Sequence, residues 1–62
     1  MKVRDIIKKI EADGWRLRTT AGSHRQYTHP TKPGRTTIAG HPSTEIPPGT
    51  LRNIMKQAGL QQ

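Results

Sequence analysis

The sequence predicts a small α+β domain of order α-β-β-β-α, in which both helices pack on one face of a three-stranded antiparallel sheet. Three observations carry that expectation. Apolar residues recur at helical spacing at the two ends of the chain, whereas the middle alternates with period two. Glycine and proline gather where such elements would have to be joined. Only 29% of the 62 residues are apolar, which is enough for one thin core. We therefore expect residues 1–62 to form one domain.

The first helix rests on Val3, Ile6, Ile7 and Ile10, a single stripe at i, i+3, i+4 and i+7. Asp5 lies in its first turn, where a negative charge suits the positive helix end. Gly14 stops it, since glycine takes the left-handed conformation without steric cost. That placement makes Trp15 the residue which folds back on Ile10 in a Schellman cap, so Trp15 reads as core rather than as a stacking platform for bases.

A strand follows, with Trp15, Leu17 and Thr19 on an apolar face and Arg16, Arg18 and Thr20 on a basic one. Ala21-Gly22-Ser23 reads as a hairpin turn. The second strand, residues 24–29, points Tyr27 inward and with it Arg25 and His29. In a ladder without a bulge, His24, Gln26 and Thr28 then face outward beside Arg16 and Arg18. Residues 30–34 form a loop, and 35–39 a third strand with Thr36 and Ile38 inward. Proline and glycine make 40–49 a loop that ends in Pro47-Pro48-Gly49. The second helix carries Leu51, Ile54, Met55 and Ala58 at the same spacing as the first. Pro48 fits its opening position, Gly59 closes it, and Leu60 folds back toward Met55.

Charge points to the partner. Eleven Lys and Arg against four Asp and Glu give a net charge of +7. Residues 1–14 hold four basic and three acidic side chains, a net +1, and the remainder of the chain holds +6. A field this one-sided suits a polyanion, and nucleic acid is the leading candidate. Other chemistry is sparse. With no cysteine there is no disulfide scaffold, thiolate nucleophile or cysteine zinc site. His24, His29 and His41 stand five and twelve residues apart, which matches no standard metal-ligand spacing, and we expect no metal site. No apolar run is long enough to span a membrane, and we expect a cytoplasmic protein without a membrane partner. The glycines form no phosphate-cradling pattern.

What remains is His24, beside a hairpin glycine in basic surroundings. RNA carries its own nucleophile, the ribose 2′-hydroxyl. Cleaving it requires a group to take that proton, cations to stabilise the crowded phosphate, and a proton for the leaving oxygen. A histidine suits the first or last task near neutral pH, and arginine or lysine the second. From the residues alone, His24 reads first as an ordinary strand residue at a turn, since one exposed histidine is a weak signal.

A resemblance bears on that choice. The run Gly22-Ser23-His24, followed by Tyr27, His29-Pro30 and His41-Pro42, resembles the HicA toxin family. So do the helix end Asp13-Gly14-Trp15 and the tail Pro48-Gly49-Thr50-Leu51-Arg52, continuing through Ile54 to Lys56-Gln57-Ala58-Gly59-Leu60. The resemblance implies a fold like the double-stranded-RNA-binding domain, and a small bacterial toxin that cleaves messenger RNA and is neutralised by a HicB-type antitoxin. It also implies that His24 is the catalytic histidine. Two departures stand out: Gly40 precedes His41-Pro42 where the family pattern has proline, and Arg25 follows the motif where many relatives have histidine. The second departure leaves the other proton-transfer group unassigned. We expect a metal-independent endoribonuclease without a cofactor. RNA contacts are expected from Arg16, Arg18, Gly22, Ser23, Arg25, Lys32, Arg35, Arg52 and Lys56, with a non-catalytic RNA-binding module of the same fold as the alternative.

Overall fold

Helices form at the two ends of the chain, where the apolar stripes lie. In the computed structural model, which describes residues 1–60, α1 (Val3–Ala12) is followed by β1 (Arg16–Ala21), β2 (His24–Thr28), β3 (Thr36–Ala39) and α2 (Pro48–Gln57). The strands pair antiparallel in the order β1-β2-β3. The expected architecture is present. Residues 61 and 62, the end of the expected single domain, lie outside the described residues.

Both helices end in the same device. At α1 the Gly14 amide donates to Glu11 O at 3.0 Å and the Trp15 amide to Ile10 O at 3.1 Å, with Gly14 at φ +110°. At α2 the Gly59 amide donates to Lys56 O at 3.2 Å and the Leu60 amide to Met55 O at 2.9 Å. These are paired Schellman caps, and each returns an apolar side chain, Trp15 or Leu60, to the core. The start of α1 is closed differently. The Asp5 carboxylate accepts the Lys2 amide at 3.0 Å, while the Val3 and Arg4 amides donate to Thr44 O and Pro42 O, each at 3.0 Å. Amides that helix geometry leaves unpaired are thus satisfied by the loop before α2. The same loop buries Ile46 against the core.

The core lies between the helices and one face of the sheet: Val3, Ile6, Ile10, Trp15, Tyr27, Ile38, Ile46, Ile54 and Ala58. The Cα atoms span 29 × 28 × 17 Å, the thickness of one helix layer on one sheet layer, so the second face of the sheet is bare. Two expectations for β1 need correction. The ladder pairs Leu17 with Tyr27 and Thr19 with Gln26, so Arg18 is an extra residue in a β-bulge, and alternation changes phase there. Thr19, not Arg18, therefore stands beside Gln26. Leu17, expected in the core, is 53% exposed. Both helices pack over β3, and the far edge strand extends beyond their cover.

Candidate functional site

Directly opposed residues of neighbouring strands share a face, so the register alone lays out the bare side of the sheet. Ala21, His24 and Ala39 form one row across the three strands. Thr19, Gln26 and Thr37 form the next, and Arg16 and Thr28 the third. Arg35, just ahead of β3, falls in that third row by alternation from Thr36. The face thus runs from a histidine toward Arg35, with the Arg16 position at its far edge.

His24 opens the central strand at the end of this track. Its two cross-strand neighbours are alanines, both exposed, so nothing tall stands beside the ring. Among the described residues the ring has no hydrogen-bond partner, and both nitrogens are available to a ligand. The hairpin before it is a two-residue turn of Gly22 and Ser23, with Ala21 paired to His24. Gly22 lies at φ +59°, while Ser23 lies outside the left-handed region, the pattern of a type II′ turn. A Cβ on Gly22 would meet nothing within 4 Å, so the space above the turn is open. Ser23 is exposed and uses its carbonyl to accept the Gly40 amide at 3.3 Å.

The seven cations expected to contact RNA divide into three groups. Arg35 lies on the open face, its Nη1 donating to Gln26 Oε1 at 2.9 Å. Arg16 is tied to the last turn of α1, donating to Glu11 O at 3.1 Å and Trp15 O at 2.9 Å. Arg18 is exposed at the bulge. Arg25 and Lys32 are engaged inside the fold. Arg25 lies half-buried on the opposite face of β2 and donates to Gly40 O at 2.9 Å. Lys32 Nζ donates to the Asp13 carboxylate and to Ala58 O, joining the β2–β3 loop to the ends of both helices. Arg52 and Lys56 are exposed on α2, in the layer behind the sheet, and do not share the face of His24.

The other histidines are committed. His29 has a side chain only 8% exposed and stands edge-on to Trp15, with ring centroids 5.3 Å apart. Its Nδ1 accepts the Thr31 and Lys32 amides, each at 3.1 Å, which assigns the proton to Nε2; that nitrogen donates to Asp13 O at 2.7 Å. His41 is exposed, and its Nδ1 accepts the Ser43 amide at 3.2 Å. The hydrogen bond from Lys32 holds the Asp13 carboxyl below its ordinary range, with lesser help from the Lys32 charge and against some desolvation. Burial pushes the Tyr27 hydroxyl upward. Among the described residues, no three His, Asp or Glu side chains gather to hold a metal, and no helix is long and apolar enough to cross a membrane.

Gln26, Thr19 and Thr37 belong to the open face but stood outside the expected set of contacts. Period-two spacing from His24 already marks Gln26 as an outward residue. Asp13 was missed because its role depends on Lys32, far away in sequence.

Fold and face together define a class: a small, basic α+β domain whose helices cover one side of a sheet and leave a histidine on the other. The sequence matches the family model described as the HicA toxin of bacterial toxin-antitoxin over residues 3–60, nearly its whole length. The chain belongs to the HicA toxin family. It is thus a toxin component of a toxin–antitoxin system, and membership implies a cognate antitoxin. No curated protein matches it.

Proposed function

We propose that this toxin is an endoribonuclease acting on messenger RNA in the bacterial cytoplasm, with His24 as its catalytic acid or base. The observation that carries the reading is the unbonded His24 ring, set between two alanines on a bare sheet face that leads to Arg35. The 2′-hydroxyl attacks the neighbouring phosphorus as its proton leaves, the bond to the 5′-oxygen breaks, and that oxygen takes up a proton. His24 serves one of the two transfers. Arg35 on the face counters the charge of the RNA backbone and so helps to hold the reacting bond at His24. This chemistry requires neither a metal nor a cofactor, and its products carry a cyclic or 3′-phosphate and a 5′-hydroxyl.

A HicB-type antitoxin, acidic where it meets the +6 portion of the chain, would silence the enzyme by covering His24. The test is incubation of purified toxin with single-stranded RNA and with its all-deoxy counterpart, with and without chelator. Discrete RNA fragments bearing those ends, insensitive to chelator and absent from DNA, support the reading. Cut DNA, or activity lost to the chelator, contradicts the mechanism. RNA bound but left intact returns the protein to a non-catalytic RNA-binding module.

A further inference from the structure

One side chain on the open face makes a contact that the reaction scheme leaves unexplained. Gln26 is half-buried in the middle of the central strand, between Thr19 and Thr37, and its Oε1 accepts the Arg35 guanidinium at 2.9 Å. Arg35 is exposed and precedes β3, at the end of a loop that contains two prolines and a glycine. An arginine in that position has many rotamers open to it, and holding a long charged side chain in one of them carries an entropic cost. The Gln26 oxygen offsets part of that cost. It is neutral, so it fixes the guanidinium without cancelling its charge, and it engages one edge of the planar fork while leaving the remaining donors for a ligand. The neighbouring threonines add small polar groups and no competing acid: Asp and Glu are absent from all three rows of the face.

Spacing supplies the ligand. His24 and Gln26 are two residues apart on one face of one strand, roughly 7 Å at the usual strand rise. That separation is comparable to the step between successive phosphates of an extended nucleic-acid strand. With one phosphate at His24, the next falls over the row that Gln26 occupies, within reach of the arginine it holds. We infer that Gln26 is a positioning residue, which holds the Arg35 guanidinium where it receives the phosphate adjacent to the one cleaved at His24. The inference rests on the proposed ribonuclease reading and adds to it a subsite one nucleotide from the reacting bond. The occupant is a single strand lying along β2, since recognition of a duplex by shape spans many base pairs and a wider surface.

The test is binding of an uncleaved RNA oligonucleotide by the intact chain carrying His24→Ala, titrated over a range of salt, alongside melting of each variant. Arg35→Ala is expected to weaken affinity about 5–10-fold and to reduce the salt slope by about one charge. Gln26→Ala is expected to weaken affinity about 3-fold, and to have no further effect once Arg35 is Ala. Gln26→Glu keeps a partner for Arg35 but neutralises it. It should melt at or above the parental temperature and still bind RNA more weakly, a combination that a purely structural role does not give. Gln26→Ala losses that persist in full without Arg35, or Gln26→Glu binding at parental strength, would overturn the inference. Cleavage by the protein with His24 intact is read separately. Its absence overturns the ribonuclease reading, while the binding titration still decides the subsite.

Discussion

His24 and His29 lie five residues apart on one strand and its exit, and the fold treats them in opposite ways. An odd separation along a strand sends the two rings to opposite faces. His24 stands on the bare face between alanines and has no partner. His29 lies against Trp15, accepts two loop amides and donates to the end of α1. One ring is left available for chemistry, and the other fastens the β2–β3 loop to both helix ends with the help of Lys32 and Asp13. Residue type alone therefore says little about a histidine in this chain. Strand parity and the size of the cross-strand neighbours say which one can meet a substrate.

The largest effect on stability should come from breaking the fastened end. His29→Ala removes a buried ring and strips partners from two amides and a carbonyl, and is expected to cost about 2–4 kcal/mol in denaturant unfolding. A loss no larger than at an exposed site would remove the contrast between the two histidines. At the open end, Gly22→Ala forces a side chain into the left-handed region and should cost about 1–2 kcal/mol. Under the proposed function cleavage per folded molecule should fall as well, since the added methyl occupies open space beside His24 through which the RNA would approach. Unchanged turnover would assign the glycine to the turn alone.

Between the two ends lies Thr36, fully buried, its hydroxyl without a partner among the described residues. Thr36→Val removes an unsatisfied polar group and should stabilise the fold by about 1 kcal/mol, visible as a higher melting temperature. The smallest effect is expected at the rim of the fastened end. The Asp13 carboxyl is held below its ordinary value of 3.8 by Lys32, so folding favours the charged form. Its contribution is complete above that value and is lost as the pH falls through the lower folded-state pKa. Asp13→Asn should accordingly be less stable than the parent at pH 7, with the difference closing as the pH falls below about 4. A difference that is constant with pH would mean that the carboxylate charge plays no part.

Much of this was legible in the residues. The apolar stripes place both helices, and Gly14-Trp15 and Gly59-Leu60 mark two caps whose hydrogen bonds follow the expected pattern. His24, Gln26 and Thr28 lie outward, as parity from Tyr27 requires. The illegible parts share a cause. A bulge at Arg18 is a one-residue slip with no composition signal, and it moves Thr19 to the side that alternation gives to Arg18. Leu17 looks like core in sequence, but which strand overhangs the helices is decided by packing. The engagements of Arg25 with Gly40, Lys32 with Asp13 and Ala58, and Arg35 with Gln26 each join residues distant in the chain. A basic composition shows that cations are present without showing which of them the fold has already used.

The central claim is that His24 serves chemistry and His29 serves the fold, and one paired measurement addresses it. Cleavage rate on single-stranded RNA and unfolding free energy are to be determined for His24→Ala and His29→Ala side by side. The account predicts that His24→Ala lowers cleavage about 10²–10⁴-fold and shifts stability by less than about 1 kcal/mol. It predicts for His29→Ala the converse, a large loss of stability with near-parental turnover by the fraction that remains folded. A His24→Ala protein that cleaves at the parental rate, or that no longer folds, would contradict it.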